Sequence, residues 1–171
     1  MPPHPQARPE LEIARADARD LDGILALMEA NQPDQGGTLS ALLSHSQLLA
    51  MLADLPLMVA RRGSRVVAFL LAASKPTVAN VPVIAAMLRT YPGSDRAYVY
   101  GPVAVDASER GQGLAQRLFT ELKRLLPGRE GILFIRADNT ASLRAHKKMG
   151  VTRRGEFIHQ GFPIVVFSYF G

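Results

Sequence analysis

Apolar positions along this 171-residue chain follow two rhythms, and the switch from one to the other divides it into elements. Residues 11–17 read as a short strand, after which Asp17 is placed to cap a helix whose Leu21, Ile24, Leu25 and Met28 recur at helical spacing. The polar run 31–37 (NQPDQGG) ends it. Thr38 or Ser40 then heads a second helix, or a bent helical pair, with Leu42, Leu43, Leu48, Leu49 and Leu52, closing before Pro56. Residues 56–74 give two β runs around Arg62-Gly63-Ser64, a tight hairpin of core strands.

The stretch 75–94 breaks the rhythm. It is long for an unstructured link, so a short helix is expected there, capped by Asn80 and running through Leu88, either as packing or as a wall over a pocket. Residues 96–105 (RAYVYGPVAV) return to strand spacing, and Pro102, lacking a ladder donor, marks an edge or a bulge. Leu114, Leu118, Leu122 and Leu125 fall on one stripe of a helix, with Arg117, Thr120, Lys123 and Arg124 elsewhere, until Pro127-Gly128 stops it. Residues 131–137 form a buried strand, Asp138 or Asn139 caps a helix ending at Gly150, and residues 151–158 and 162–170 close as two more strands. No repeat or second linker interrupts this order, so residues 10–171 are expected to be a single domain behind a mobile, proline-rich tail at 1–9.

Composition narrows the chemistry. With no cysteine there is no disulfide, no thiolate metal ligand and no thiol nucleophile, and no metal site is expected. The start lacks the apolar core of a secretory signal, and the longest apolar run is broken by Asp54 and Pro56, so a soluble cytoplasmic protein without a membrane partner is expected. The net charge of +5 is C-terminal: residues 1–100 hold 9 basic and 9 acidic side chains, and residues 101–171 hold 11 and 6. A basic half suits a solvated face, a small polyanion or nucleic acid. The last wants a stripe with exposed aromatics, which here fall inside predicted strands, so no nucleic-acid partner is expected.

The candidate chemistry begins at Val103-Ala104-Val105-Asp106-Ala107-Ser108-Glu109-Arg110-Gly111-Gln112-Gly113-Leu114-Ala115, where a strand bends through two glycines into a helix. A plain strand-to-helix turn is one explanation. The other is an anion site: a helix N-terminus offers unpaired amides and roughly half a positive charge, Gly111 and Gly113 remove Cβ atoms from the approach, and Arg110 adds a charged donor. Downstream, Asn139-Thr140-Ala141-Ser142-Leu143-Arg144-Ala145-His146-Lys147-Lys148-Met149-Gly150 spaces Asn139, Ser142, His146 and Met149 along one helical face. They line a ligand channel, or they only cap and pack.

The first stretch resembles the Arg/Gln-x-x-Gly-x-Gly/Ala turn of the GCN5-related N-acetyltransferases, the GNAT family, at Arg110, Gly113 and Ala115. The second resembles that family's N-x-x-S-x-x-x-Y-x-K-x-G segment, with His146 at the usual tyrosine. The motifs cover about a third of the chain and the element order nearly all of it. The resemblance implies an α/β (α+β) fold: a mixed, mostly antiparallel twisted sheet of about six to seven strands, splayed at its centre, with helices on both faces. It implies an acyltransferase that moves an acetyl group from acetyl-CoA directly to a primary amine, of a small molecule or amino acid, or alternatively of a protein N-terminus or lysine. A CoA-binding regulatory or inactive relative is a further alternative, suggested by His146.

Under that resemblance the cofactor-binding set is Val103, Ala104 and Val105 for pantetheine, Arg110, Gly111, Gln112, Gly113, Leu114 and Ala115 for the diphosphate, and Asn139, Ser142 and His146 along the channel. Arg144, Lys147 or Lys148 meets the nucleotide's phosphates or is merely solvated. His146 is the catalytic candidate for acid or thiolate stabiliser, against a structural role. A base is sought among Tyr98, Tyr100, Glu156 and His159, Glu109 lying close to the phosphate turn, and Tyr100 is carried with His146 as the catalytic pair. The apolar closing run is a candidate edge for pairing with a second copy, a homodimer.

Overall fold

The computed structural model describes residues 6–35, 39 and 42–171. Seven strands, β1 Leu11–Arg15, β2 Met58–Arg62, β3 Arg65–Ser74, β4 Tyr98–Val105, β5 Glu130–Arg136, β6 Thr152–His159 and β7 Phe162–Phe170, form one mixed sheet in the order β1-β2-β3-β4-β5-β7-β6. Every neighbouring pair is antiparallel except β4 and β5. Among the described residues six α-helices cover it: α1 Leu21–Ala30, α2 His45–Asp54, α3 Lys75–Val78, α4 Pro82–Thr90, α5 Leu114–Leu125 and α6 Thr140–Lys148.

The two faces carry separate cores. On one, Ile24 and Met28 of α1, Leu48 and Met51 of α2, Val78 and Met87 pack on Val59, Phe69, Leu71, Val99 and Ile132. On the other, Leu114, Leu118, Phe119 and Leu122 of α5 pack on Ala68, Leu70, Tyr98, Tyr100 and Tyr169, with Leu143 and Met149 at the margin. The predicted α5 stripe is therefore real, with Phe119 added and Leu125 only half-buried. Each large apolar side chain so buried contributes roughly 1.5–3 kcal/mol. β3, buried on both faces along most of its length, is the central plank.

Local signals explain most boundaries. Asp17 caps a short 3₁₀ turn leading into α1, with Asp20 completing a reciprocal capping box. Asn139 caps α6 through the Ser142 amide, while Asp138 pairs instead with Arg136. Gly63 and Ser64 make a two-residue hairpin between Arg62 and Arg65.

Three expectations need correction, and one pair of alternatives, at Pro102, is decided. Thr38 and Ser40 lie outside the described residues, and α2 starts later, at a Ser44–Gln47 capping box, leaving Leu42 exposed and Leu43 ahead of the helix. Asn80 caps nothing: the 75–94 stretch holds two helices, and α4 opens with Pro82, whose fixed φ and missing amide suit a first helical position. Pro102 is not on an edge, since β4 is central; two residues, Gly101 and Pro102, oppose Leu71 of β3, which is a bulge. The closing run is not an edge either, because β7 lies between β5 and β6 and has no free side for a second copy.

Candidate functional site

β4 and β5 pair only at Tyr98–Gly131 and Val99–Ile132, then part. The Gly101-Pro102 bulge begins just beyond that last pair, so the strand turns away where the ladder stops. It also shifts the alternation by one: Tyr98 and Tyr100 face the α5 core, and so do Val103 and Val105 after it, while Ala104 faces the other core. On the side toward β5, the backbone of residues 101–105 has no ladder partner among the described residues. Such groups in a cleft invite an extended ligand.

At the far end of β4, a 3₁₀ turn (Ala107–Glu109) and Arg110 lead to Gly111 at φ 81° and Gly113 at φ 70°, the latter capping α5. No protein acceptor takes the amides of Gln112, Gly113, Leu114 or Ala115 among the described residues. A Cβ built on Gly111 or Gly113 meets nothing within 4 Å. The glycines thus serve the left-handed backbone, and open space lies beside unpaired donors at the positive end of a 12-residue helix, an arrangement that suits an anion. The Leu114 side chain is core, so only its amide is available there.

Arg110 is bonded back to the protein. Its Nη2 donates to Asn31 Oδ1 at 3.0 Å and its Nε to the Val105 carbonyl at 3.4 Å, tying the turn to the end of α1. Glu109, 0 % exposed, accepts from Arg62 Nε at 2.7 Å, from Gln112 Nε2 at 2.8 Å, and from Arg8. The Arg62 hydrogen bond is the main reason its carboxyl lies below the usual range. Sequence reasoning noted Glu109 only as a neighbour of the turn. Its two arginine partners are 47 and 101 residues away, and no local pattern points to them.

At the apex of the split, the strand and α6 meet. His146 is 4 % exposed; its Nδ1 lies 2.8 Å from the Ser142 carbonyl, which can only accept, so Nδ1 carries the proton. Nε2 is then an acceptor, and the Tyr100 hydroxyl, 3.0 Å away, donates to it. Burial pushes the His146 pKa down and that of Tyr100 far up, so both are neutral at pH 7. Tyr100 stacks edge-on against His146, Phe119 and Tyr169, and Tyr169 shares a short hydrogen bond with Tyr98. Burial raises Tyr98 and Tyr169 as well. None of these phenols is poised to lose its proton.

Asn139, Ser142, His146 and Met149 do share one face, but the Asn139 side chain is occupied by its cap and Met149 Sδ lies 4.0 Å from the Tyr100 hydroxyl. Arg144, Lys147 and Lys148 are exposed. Glu156 is paired with Arg153 on the outer strand, and His159 ends that strand. Glu130, which sequence reasoning passed over, is a buried carboxylate that accepts from Tyr91 Oη and the Ser94 amide, each at 2.7 Å. Burial pushes its pKa up, but those bonds outweigh it and the net direction is down. It fastens the 75–94 excursion at the start of β5, just before the residues that pair with β4. Among the described residues no helix is long and apolar enough to cross a membrane.

Comparison with known proteins agrees with this architecture. The profile described as Acetyltransferase (GNAT) family matches residues 24–151. No curated protein matches the sequence. Among solved structures, Arabidopsis thaliana NAA60 in complex with acetyl-CoA superposes with a TM-score of 0.70 at 14% identity, covering 95% of this chain and 100% of that one. Salmonella typhimurium yncA with its cofactor acetyl-CoA gives 0.68 at 16%, covering 94% of each chain. The ribosomal-protein-S18-alanine N-acetyltransferase of Escherichia coli gives 0.66 at 12%, again with 94% of each covered.

Proposed function

The chain belongs to the acetyltransferase (GNAT) family, and from that premise we propose that it uses acetyl-CoA to acetylate a primary amine, that of a small molecule or amino acid, without an acyl-enzyme. The observation that carries the reading is the parting of β4 from β5 between the unpaired amides of α5 and the Tyr100–His146 pair. Two solved structures of this fold are complexes with acetyl-CoA.

The chain's own residues fit the donor. The amides of 112–115 and the α5 dipole would hold the diphosphate in the open space beside Gly111 and Gly113. The backbone of Val103, Ala104 and Val105, unpaired toward β5, extends along pantetheine. When bound, acetyl-CoA supplies the activated acyl group. Tyr100, kept protonated by burial, would turn its O–H from His146 Nε2 to the departing sulfur and stabilise the thiolate as a hydrogen-bond donor, the proton shed by the attacking amine balancing the charge, while His146, held by Ser142, keeps the ring in place. The phenol expected from α6 in this family thus comes from the neighbouring strand.

A small acceptor is favoured by α4, whose Met87, with Ile84 and Leu88, joins the core beneath Val99 and Ile132 on the side opposite α5. Thr90 presses on Gly155 and Tyr91 and Ser94 are fastened to Glu130, so the excursion is fixed in place there. A protein N-terminus needs more room. The test is a panel of small amines, amino acids and N-terminal peptides with acetyl-CoA, reading free thiol, for which a cysteine-free chain gives no background. Release with small amines supports the proposal, release with peptides alone moves the acceptor to protein, and tight CoA binding with no release makes the chain a regulator. Tyr100→Phe is expected to lower kcat about 10²- to 10³-fold with little change in KM for acetyl-CoA. An unchanged kcat removes Tyr100 from the chemistry.

A further inference from the structure

Resting on the acetyl-CoA reading, we infer that Arg62 and Glu109 are positioning residues for the diphosphate: Glu109 holds the glycine turn in shape, and Arg62 cancels the charge that would otherwise repel the ligand. Glu109 stands two residues before Gly111, close in sequence to the unpaired amides, where a carboxylate is the wrong charge. Its Oε2 accepts from Gln112 Nε2 at 2.8 Å and from Arg62 Nη2 at 3.2 Å, and its Oε1 from Arg62 Nε at 2.7 Å.

Gln112 lies between the two glycines, and its side chain is tied to Glu109. Arg62 forks onto both carboxylate oxygens from the β2 end of the hairpin, with only 17 % of its side chain exposed, and its Nη1 donates to the Pro9 carbonyl at 2.8 Å. Arg8 adds a second, half-exposed cation from the preceding segment. A carboxylate enclosed this way stays ionised, so its charge is cancelled only by its partners. Remove Arg62 and a negative charge with a weaker counterion faces the diphosphate a few residues on.

The sign of the double substitution separates charge cancellation from simple bracing. CoA binding is measured by titration calorimetry at low ionic strength for the wild type, Arg62→Gln, Arg62→Lys, Glu109→Gln and Arg62→Gln/Glu109→Gln, with thermal melts to establish folding. Arg62→Gln is expected to raise the CoA Kd about tenfold, and Arg62→Lys and the double variant to return it to within about threefold of wild type. Pantetheine, which has no diphosphate, should bind Arg62→Gln as it binds wild type. A double variant as weak as Arg62→Gln, or an equal loss for pantetheine, overturns the inference. Should Arg62→Gln not fold, Glu109→Gln decides: CoA binding within about threefold of wild type supports the inference, and a larger loss overturns it. A wild type that binds no CoA overturns the proposed function as well, whereas binding with the wrong variant pattern overturns this inference alone.

Discussion

Gly131 and Gly113 lie on the same side of the molecule, and their surroundings are opposite. Gly131 sits in β5 with the ring of Tyr169 lying across it, so close that a Cβ would overlap the ring. Gly113 stands at the mouth of α5 with φ 70° and nothing within 4 Å of where its Cβ would be. One glycine lets a neighbour in; the other keeps a space open for something that is not part of the chain. The distinction extends outward. A Cβ on Gly93 would come within 2.6 Å of Ile132 and 2.9 Å of Glu130, and one on Gly155 within 2.9 Å of Thr90, whereas Gly111 is as open as Gly113. Crowded glycines belong to stability, and open ones with unpaired amides belong to binding.

The strongest way to break this comparison is to add a methyl group to each side of it. Gly131→Ala should cost about 3 kcal/mol of folding stability, because the Tyr169 ring must leave its edge-on stacks with Phe119 and Tyr100 and its bond to Tyr98. Denaturant unfolding reads the loss, and CoA affinity of the folded fraction should stay as it was. Gly113→Ala should do the reverse. The left-handed backbone costs it about 1 kcal/mol, while the new methyl group intrudes on the diphosphate and raises the CoA Kd about 30-fold, near 2 kcal/mol by calorimetry. If Gly131→Ala weakened binding and Gly113→Ala weakened only folding, the assignment of the two glycines would be inverted.

The sequence alone could not have told these glycines apart, and the reason is general. Gly111 and Gly113 were legible because they sit in a local pattern, a strand running into an amphipathic helix, whose physics is contained in about a dozen consecutive residues. The α5 stripe, the hairpin at Gly63 and the Asn139 cap were legible for the same reason. Gly131, Glu130 and Glu109 owe their roles to Tyr169, Tyr91 and Arg62, brought to them only by the sheet order. The order itself explains the misplaced edge: β7 follows β6 in sequence but inserts between β6 and β5, so the apolar closing run that looked like an open edge is apolar because it is central. Asn80 misled because proline can start a helix without a capping side chain. At the candidate site, the His146 face was readable from its spacing and Tyr100 was singled out with it, but the hydrogen bond between the two, 46 residues apart, was not.

The smallest effect locates the boundary between the crowded and the open side. If His146 belongs to the crowded interior, its imidazole is neutral in the folded protein and takes a proton readily only when unfolded. Burial lowers its folded pKa below the ordinary 6.5. Well above pH 7.5 both states are neutral there and stability is unaffected by this group, and the loss begins as the pH approaches 6.5. Below 6.5 the unfolded chain binds the proton first, so stability falls with pH until the lowered folded value is passed. Protonation would also force Nε2 to become a donor facing the Tyr100 hydroxyl, which now donates to it. The wild-type Tm should therefore drop between pH 6.5 and 5, and His146→Gln, which cannot titrate, should show a shallower drop across the same interval. Equal slopes for the two proteins would mean that His146 is already in contact with solvent, and the open side of the comparison would then reach past Tyr100 to α6.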